Sequence, residues 1–336
     1  MISGALLAFI TALTTALIII AAMPFLRRYA LARPNARSSH TVPTPQGAGI
    51  AIMVTLTALL LTIAIFEAEG AQLQSAIMLL GALVSLAVIG GVDDIYPLPV
   101  LLRLIVQFTA ATLIVLTVPE DLRVFPFLPF WLEATSLAVG MVWFINLTNF
   151  MDGIDGITVV EMISISVGVI LIHSLSDTVG TQSVSIIAVG LIGALLGFAP
   201  FNRHVASVFM GDVGSLPIGA LAGWMLIIVA GEGFVAAALL LPMYYLGDAT
   251  TTLYRRWQRG ERLHKAHRSH FYQLAVQRGF RVPDVTNCIF GLNVMLIVLA
   301  LLTVQMRSTI VDIACLIAGA ILTAALLRHF ERGPNG

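Results

Sequence analysis

Apolar residues run for about 20 positions at a time along this chain, and short polar stretches separate the runs. A helix of ~20 residues, rising 1.5 Å per residue, crosses the ~30 Å hydrocarbon core of a bilayer. A transmembrane barrel would show alternating segments of about ten residues instead. The runs fall near residues 4–24, 47–66, 74–92, 100–118, 129–148, 157–175, 182–200, 214–230, 233–248, 285–305 and 309–327. The pattern predicts an all-α, polytopic integral membrane protein with about 11 transmembrane helices, residues 1–336 forming one domain.

Composition agrees. Hydrophobic residues make up 58% of the chain, charged residues 11%, and the mean hydropathy is +0.96. A soluble domain carries about 25% charge, and a disordered chain needs low hydrophobicity, so both are excluded. Cys288 and Cys315 lie in apolar runs without Cys or His at ligand spacing, which argues against a disulfide or zinc site. No Lys or Arg precedes the first run, which argues against a cleaved signal peptide.

The formal net charge of zero hides a segregation. Of the 18 basic residues, all but Arg123 and Arg307 fall in alternate loops of one set. The positive-inside rule puts that set in the cytoplasm, with the N-terminus outside and the C-terminus inside. The same loops, near 33–49, 91–99, 146–157, 201–215 and 249–284, hold the unusual polar chemistry. Convergence on one face predicts an active site at the membrane interface; a channel would need polar groups at several depths.

Asp93 and Asp94 stand side by side in GVDDIYPLP at the end of the third run. Adjacent helical residues point about 100° apart, so the two carboxylates need different partners: a metal, a cation or a proton-transfer role. The alternative is a polar helix end before a Pro-rich turn. In NLTNFMDGIDG, Asp152 and Asp155 share a face if helical, and Asn146 and Asn149 repeat the spacing. Such an oxygen-rich set suits Mg²⁺ or a sugar phosphate.

In FNRHVASVFMGDVGS, Asp212 and Ser215 are placed either to cap the eighth run or, for Asp212, to hold a metal. Asn202 and Phe209 suit a base by hydrogen bonding and stacking. In the longest loop, HKAHRSH puts His264, His267 and His270 on one stripe if helical, among arginines that include Arg268. Diphosphate binding fits this better than zinc, with a lipid-facing basic loop as the alternative. Arg37 and His40, in PNARSSHTVPTPQGAG, are possible anion contacts. Glu161 is an anomaly one turn into the sixth run, and His173, His204 and His329 read as surface or interface residues.

The ordered set PNARSSHTVPTPQGAG, GVDDIYPLP, NLTNFMDGIDG, FNRHVASVFMGDVGS and HKAHRSH resembles the polyprenyl-phosphate N-acetylhexosamine-1-phosphate transferases, glycosyltransferase family 4. These are enzymes of the bacterial inner membrane that include the WecA-like and MraY-like groups. The HKAHRSHFYQ wording is most similar to the WbpL-like subgroup that initiates O-antigen synthesis. The resemblance implies a UDP-N-acetylhexosamine donor, a polyprenyl phosphate acceptor, Mg²⁺ or Mn²⁺, UMP as product, and no nucleic-acid partner; a homodimer is allowed.

By the same resemblance, one of Asp93 and Asp94 orients or deprotonates the lipid phosphate. Asn149, Asp152 and Asp155 belong to the central motif, with Asp152 and Asp155 catalytic candidates and Asp152 also a metal candidate. Asp212 ligates the metal, Asn202 and Phe209 lie near the uracil, and His267 and His270 meet the diphosphate. Ser269 replaces a histidine common in the family, and Ala48 interrupts its glycine run. The competing class, a secondary transporter of an anionic substrate, predicts internal repeats and mid-span charges. The chain shows no such repeat, and most of its acids sit at span ends.

Overall fold

The computed structural model describes residues 3–32, 43–66, 70–119, 121–176, 182–261 and 267–334. The apolar runs are helices: α1 (Gly4–Tyr29), α2 (Gly49–Phe66), α3 (Ala71–Ile95), α4 (Val100–Val115), α5 (Phe130–Met151), α6 (Ile157–Leu175), α7 (Gln182–Asn202) and α8 (Asp212–Gly231). They continue as α9 (Val235–Leu240), α10 (Met243–Gln258), α11 (Phe271–Gln277), α12 (Val282–Met306) and α13 (Thr309–Arg332). Among the described residues, nine helices are long and apolar enough to cross a membrane, and α4 is a shorter apolar helix.

The ninth apolar run, near 233–248, is not one helix. It breaks between α9 and α10 at Leu241 and Pro242. Proline has no N–H to continue the α9 ladder, so the hydrogen bonding stops there although Leu241 itself keeps helical backbone. Beyond the break, α10 turns polar and carries Arg255 and Arg256 in its last turn.

The helix α8 is the axis of the bundle. It is buried along nearly its whole length and packs against α2, α3, α5, α6 and α9. Gly90 makes the α3 contact possible, because a side chain there would overlap the backbone of Asp212. Asp94 lies one turn beyond Gly90 on the same face of α3, so that close approach carries it to the start of α8.

A small ribbon adds to the helices. β1 (Leu31–Ala32) pairs antiparallel with β2 (Thr44–Pro45), and Gln46 makes a parallel bridge to Phe209. Phe209 N–H donates to Pro45 O at 2.8 Å, and Ala48 N–H donates to Phe209 O at 3.0 Å. The end of the first polar loop is thereby stitched to the segment that enters α8.

Candidate active site

The described parts of the five polar loops meet at one end of the bundle, and the contacts are specific. Asp94 Oδ1 accepts the backbone N–H of Asp212 at 3.0 Å, and Oδ2 accepts that of Val213 at 3.1 Å. A carboxylate from α3 therefore caps the N-terminus of α8, where unsatisfied N–H groups and the helix dipole favour negative charge. Neither Asp212 nor Ser215 is that cap. The N-cap position is Gly211, with no side-chain capping bond. Asn149 Nδ2 instead bridges Asp212 Oδ1 at 2.6 Å and Ser215 Oγ at 2.9 Å.

Asp93 takes separate partners, as the 100° rotation between neighbours requires. Its Oδ2 accepts from Arg103 Nη1 at 2.6 Å, and its Oδ1 accepts from Leu98 N–H at 2.6 Å. Asp93 thus holds the Pro-rich turn to α4, while Asp94 faces Asp212. Gln46 Nε2 donates to Asp94 O at 2.7 Å, which joins the first loop to this end of α3.

The helical stripe expected for Asp152 and Asp155 does not form. Helix α5 ends at Met151, Asp152 is its C-cap, and the chain turns through Gly153 and Gly156. The two carboxylates diverge. Asp152 Oδ1 accepts from Thr158 Oγ1 at 2.6 Å, and Asp152 interacts electrostatically with Asp212. Burial, reinforced by Asp212 and Asp155, pushes the Asp152 carboxyl up to about 6. Asp155 is 4% exposed, and its Oδ2 accepts Ala206 N–H at 3.2 Å and lies 2.8 Å from His204 Nδ1. It anchors the α7–α8 loop.

Two asparagines also face inward. Asn202 Oδ1 accepts Gly156 N–H at 2.8 Å, and its amide donates to Val208 O at 3.3 Å. Asn146 exchanges amide hydrogen bonds with Gln107 across α4 and α5. These amides tie backbone and helices together. Phe209 is half-buried beside the ribbon described above.

The basic loop joins the same end. Residues 267–270 are not helical; α11 begins at Phe271 with His270 as its N-cap. His267 and His270 still stack, with centroids 4.9 Å apart, and His270 stacks on Tyr272 at 5.7 Å. Asp248, fully buried, organises this segment. It accepts the N–H groups of Phe271 and Tyr272 at 3.1 Å each and lies 3.1 Å from His270 Nδ1. Tyr272 O–H then donates to Phe150 O at 3.0 Å, and a side chain on Gly153 would overlap the tyrosine hydroxyl. Arg268 is exposed. Arg37, His40 and His264 lie outside the described residues.

Sequence reasoning missed Asp248, Tyr272, Thr158 and Arg103. Asp248 carries a readable signal: a carboxylate closing an apolar run is costly unless partnered.

The carboxylates of Asp94, Asp152 and Asp212 interact mutually. Among the described residues, no three His, Cys, Asp or Glu side chains form a ready-made metal cage. Mg²⁺ does not require one, since it is usually held by one or two carboxylates, waters and substrate phosphates. Asp212 and Asp152 each keep an oxygen to which no described residue donates. The donor set therefore fits Mg²⁺.

Fold and site together define an all-α polytopic membrane protein with a cluster of carboxylates, amides and histidines at one end of its bundle. The glycosyl transferase family 4 profile matches residues 75–230. The chain belongs to that family, among the polyprenyl-phosphate hexosamine-1-phosphate transferases. It is 27% identical over 289 residues to the "probable undecaprenyl-phosphate N-acetylglucosaminyl 1-phosphate transferase" of Bacillus subtilis, covering 79% of this chain and 75% of that one. It is 30% identical over 220 residues to the phospho-N-acetylmuramoyl-pentapeptide-transferase of Deinococcus radiodurans, covering 60% and 66%. It is 31% identical over 217 residues to the decaprenyl-phosphate N-acetylglucosaminephosphotransferase of Mycolicibacterium smegmatis, covering 58% and 52%. The chain thus spans between half and three quarters of these relatives' lengths.

Proposed function

We propose that this protein transfers an N-acetylhexosamine 1-phosphate from a UDP-sugar to polyprenyl phosphate, at the cytoplasmic face of a bacterial inner membrane. The observation that carries this reading is the meeting of Asp94, Asp152, Asp212 and Asn149 at the start of α8, in a chain of this family. A phosphate oxygen of the lipid attacks the β-phosphorus of the UDP-sugar. The bond from that phosphorus to the bridging oxygen breaks, and UMP leaves with that oxygen. The product is a polyprenyl-diphosphate sugar.

Phosphoryl transfer needs positioning and charge neutralisation more than covalent chemistry. Asp212 and Asp152 would hold Mg²⁺, or Mn²⁺ in its place. The ion would neutralise charge on the diphosphate when bound. Asp94 is the better placed of the acidic pair to orient or deprotonate the lipid phosphate, because Asp93 is occupied by Arg103. His267, Arg268 and His270 lie on the loop that would close over the diphosphate. Direct attack is the simplest route; a covalent phosphosugar on an aspartate is the alternative, and an adduct trapped without lipid would favour it. We assign the pathway to O-antigen or related envelope-glycan initiation on the wording of the histidine loop.

The test is to incubate purified protein with polyprenyl phosphate, Mg²⁺ and a panel of labelled UDP-N-acetyl sugars. UMP release with one of them is expected. Release with none sinks the transferase reading and leaves a transporter of an anionic substrate as the competitor.

A further inference from the structure

Helix α6 carries a single acidic residue, Glu161, and it is fully buried. Asn293 of α12, 1% exposed, donates from Nδ2 to Glu161 Oε2 at 2.7 Å. That bond leaves two buried atoms without a partner: Glu161 Oε1 and Asn293 Oδ1. Both are acceptors when the carboxyl is ionised, so neither can satisfy the other. One proton on Oε1 removes the conflict. The acid then offers one donor and one acceptor to an amide that offers the complementary pair, and the two close edge to edge.

Among the described residues, the surroundings offer no cation in place of that proton. The titratable groups that face Glu161 are Tyr244 and Tyr245 of α10. Tyr244 O–H donates to Asp248 Oδ2 at 3.2 Å. Tyr245 O–H lies 3.2 Å from Thr158 Oγ1. The backbone N–H of Tyr245 also faces the Glu161 carboxyl. A buried carboxylate without a charged partner takes up a proton in preference to remaining ionised.

We propose that Glu161 is a neutral carboxylic acid paired with Asn293, and that this clasp between α6 and α12 positions the Asp152 carboxylate. Thr158 stands three residues before Glu161, on the same face of α6. Its single hydroxyl hydrogen goes to Asp152 Oδ1 at 2.6 Å, so Tyr245 is the donor to Thr158. A chain of hydroxyls therefore runs from Tyr245 through Thr158 to Asp152. The rotation of α6, which the clasp sets, decides whether it reaches. The positioning role rests on the transferase reading; the protonation state does not.

The test combines infrared spectroscopy with kinetics on the full-length protein in lipid nanodiscs near neutral pH. The wild-type minus Glu161→Gln spectrum is expected to show the C=O stretch of a protonated carboxylic acid, shifting in D₂O. In Asn293→Leu that band moves to higher wavenumber, because the carbonyl loses its donor. Absence of the band in wild type means an ionised Glu161 and overturns the proposal. In the UMP-release assay, Glu161→Gln can make the same paired bonds and is expected to keep kcat near the wild-type value. Asn293→Leu should lower kcat by roughly tenfold to a hundredfold with KM for the UDP-sugar unchanged, as a ~1 Å displacement of a catalytic group does. Loss of kcat in Glu161→Gln, or its retention in Asn293→Leu, overturns the positioning role. If wild type releases no UMP, the transferase reading fails by itself, and the infrared band still decides the clasp.

Discussion

Asp94 of α3 accepts the backbone N–H of Asp212, the first residue of α8, at 3.0 Å. One carboxylate closes the contact between two helices and sits beside the carboxylate proposed to hold metal. Asp94→Ala should therefore do two separable things. It should destabilise the fold by about 1–2 kcal/mol, the usual cost of a lost helix cap. It should also lower kcat/KM by about 10²-fold or more, beyond what the folded fraction explains. Thermal unfolding in detergent and UMP release on the same preparations separate the two.

Asp93 should behave differently, because its partners are Arg103 and the Leu98 backbone. Asp93→Asn and Arg103→Gln should each destabilise the protein, and the double variant should lose less than the sum. A coupling of about 0.5–3 kcal/mol in that cycle identifies an interacting pair. Full additivity would mean that the ion pair carries no energy.

Asp212→Asn keeps the hydrogen bond from Asn149 available only if the new amide presents its oxygen, and it removes one charge from the cluster. The expectation is loss of Mg²⁺-dependent UMP release with an unchanged unfolding temperature. Mn²⁺ binding followed by electron paramagnetic resonance should weaken in parallel. Tight Mn²⁺ binding in Asp212→Asn would remove that residue from the metal role.

The Asp152 carboxyl is raised from 3.8 to about 6 by burial. A raised folded-state pKa means that the native protein binds this proton more tightly than the unfolded chain. The stabilisation is complete below pH ~4 and is lost as pH rises through ~6, a change of about 3 kcal/mol. Asp152→Asn should thus unfold at a higher temperature than wild type near pH 7.5, in EDTA, and at the same temperature near pH 4. Activity should be lost in the variant. In wild type it should decline below pH ~6, as the carboxylate that would hold metal becomes protonated. A variant no more stable at pH 7.5 than at pH 4 would contradict this.

Tyr272→Phe removes the hydrogen bond to Phe150 O while keeping the ring against His270. A single neutral hydrogen bond is worth about 1 kcal/mol, so the fold should survive. The histidine loop loses its tether to the Asp152 loop, and kcat should fall by roughly tenfold. Proteolysis at residues 267–270 should speed up. Unchanged kinetics would show that the tether is dispensable.

Much of this protein was readable from its residues, because the bilayer constrains the chain so strongly. A hydrocarbon interior forces backbone groups into helices, so ten of the eleven apolar runs located helices to within about five residues at each end, while the ninth broke in two. The adjacent carboxylates at 93 and 94 and the polar set at 146–155 stood out as groups that need partners, since such groups are costly at the edge of hydrocarbon. The requirement that Asp93 and Asp94 find different partners followed from helix geometry alone.

Tertiary structure decided the identities of those partners. Nothing in the spacing told that Asp94 would cap α8 118 residues later, or that Asp155 and Asn202 would hold loops. The non-helical histidines and the Asp248 hub belong to the same class. Each depends on which buried donors are left unsatisfied once helices pack, and that is set by distant segments meeting. The residue pattern determined which groups must be partnered and on which end of the bundle; packing alone determined with whom, because hydrogen bonding is short-ranged and the chain's contacts are not.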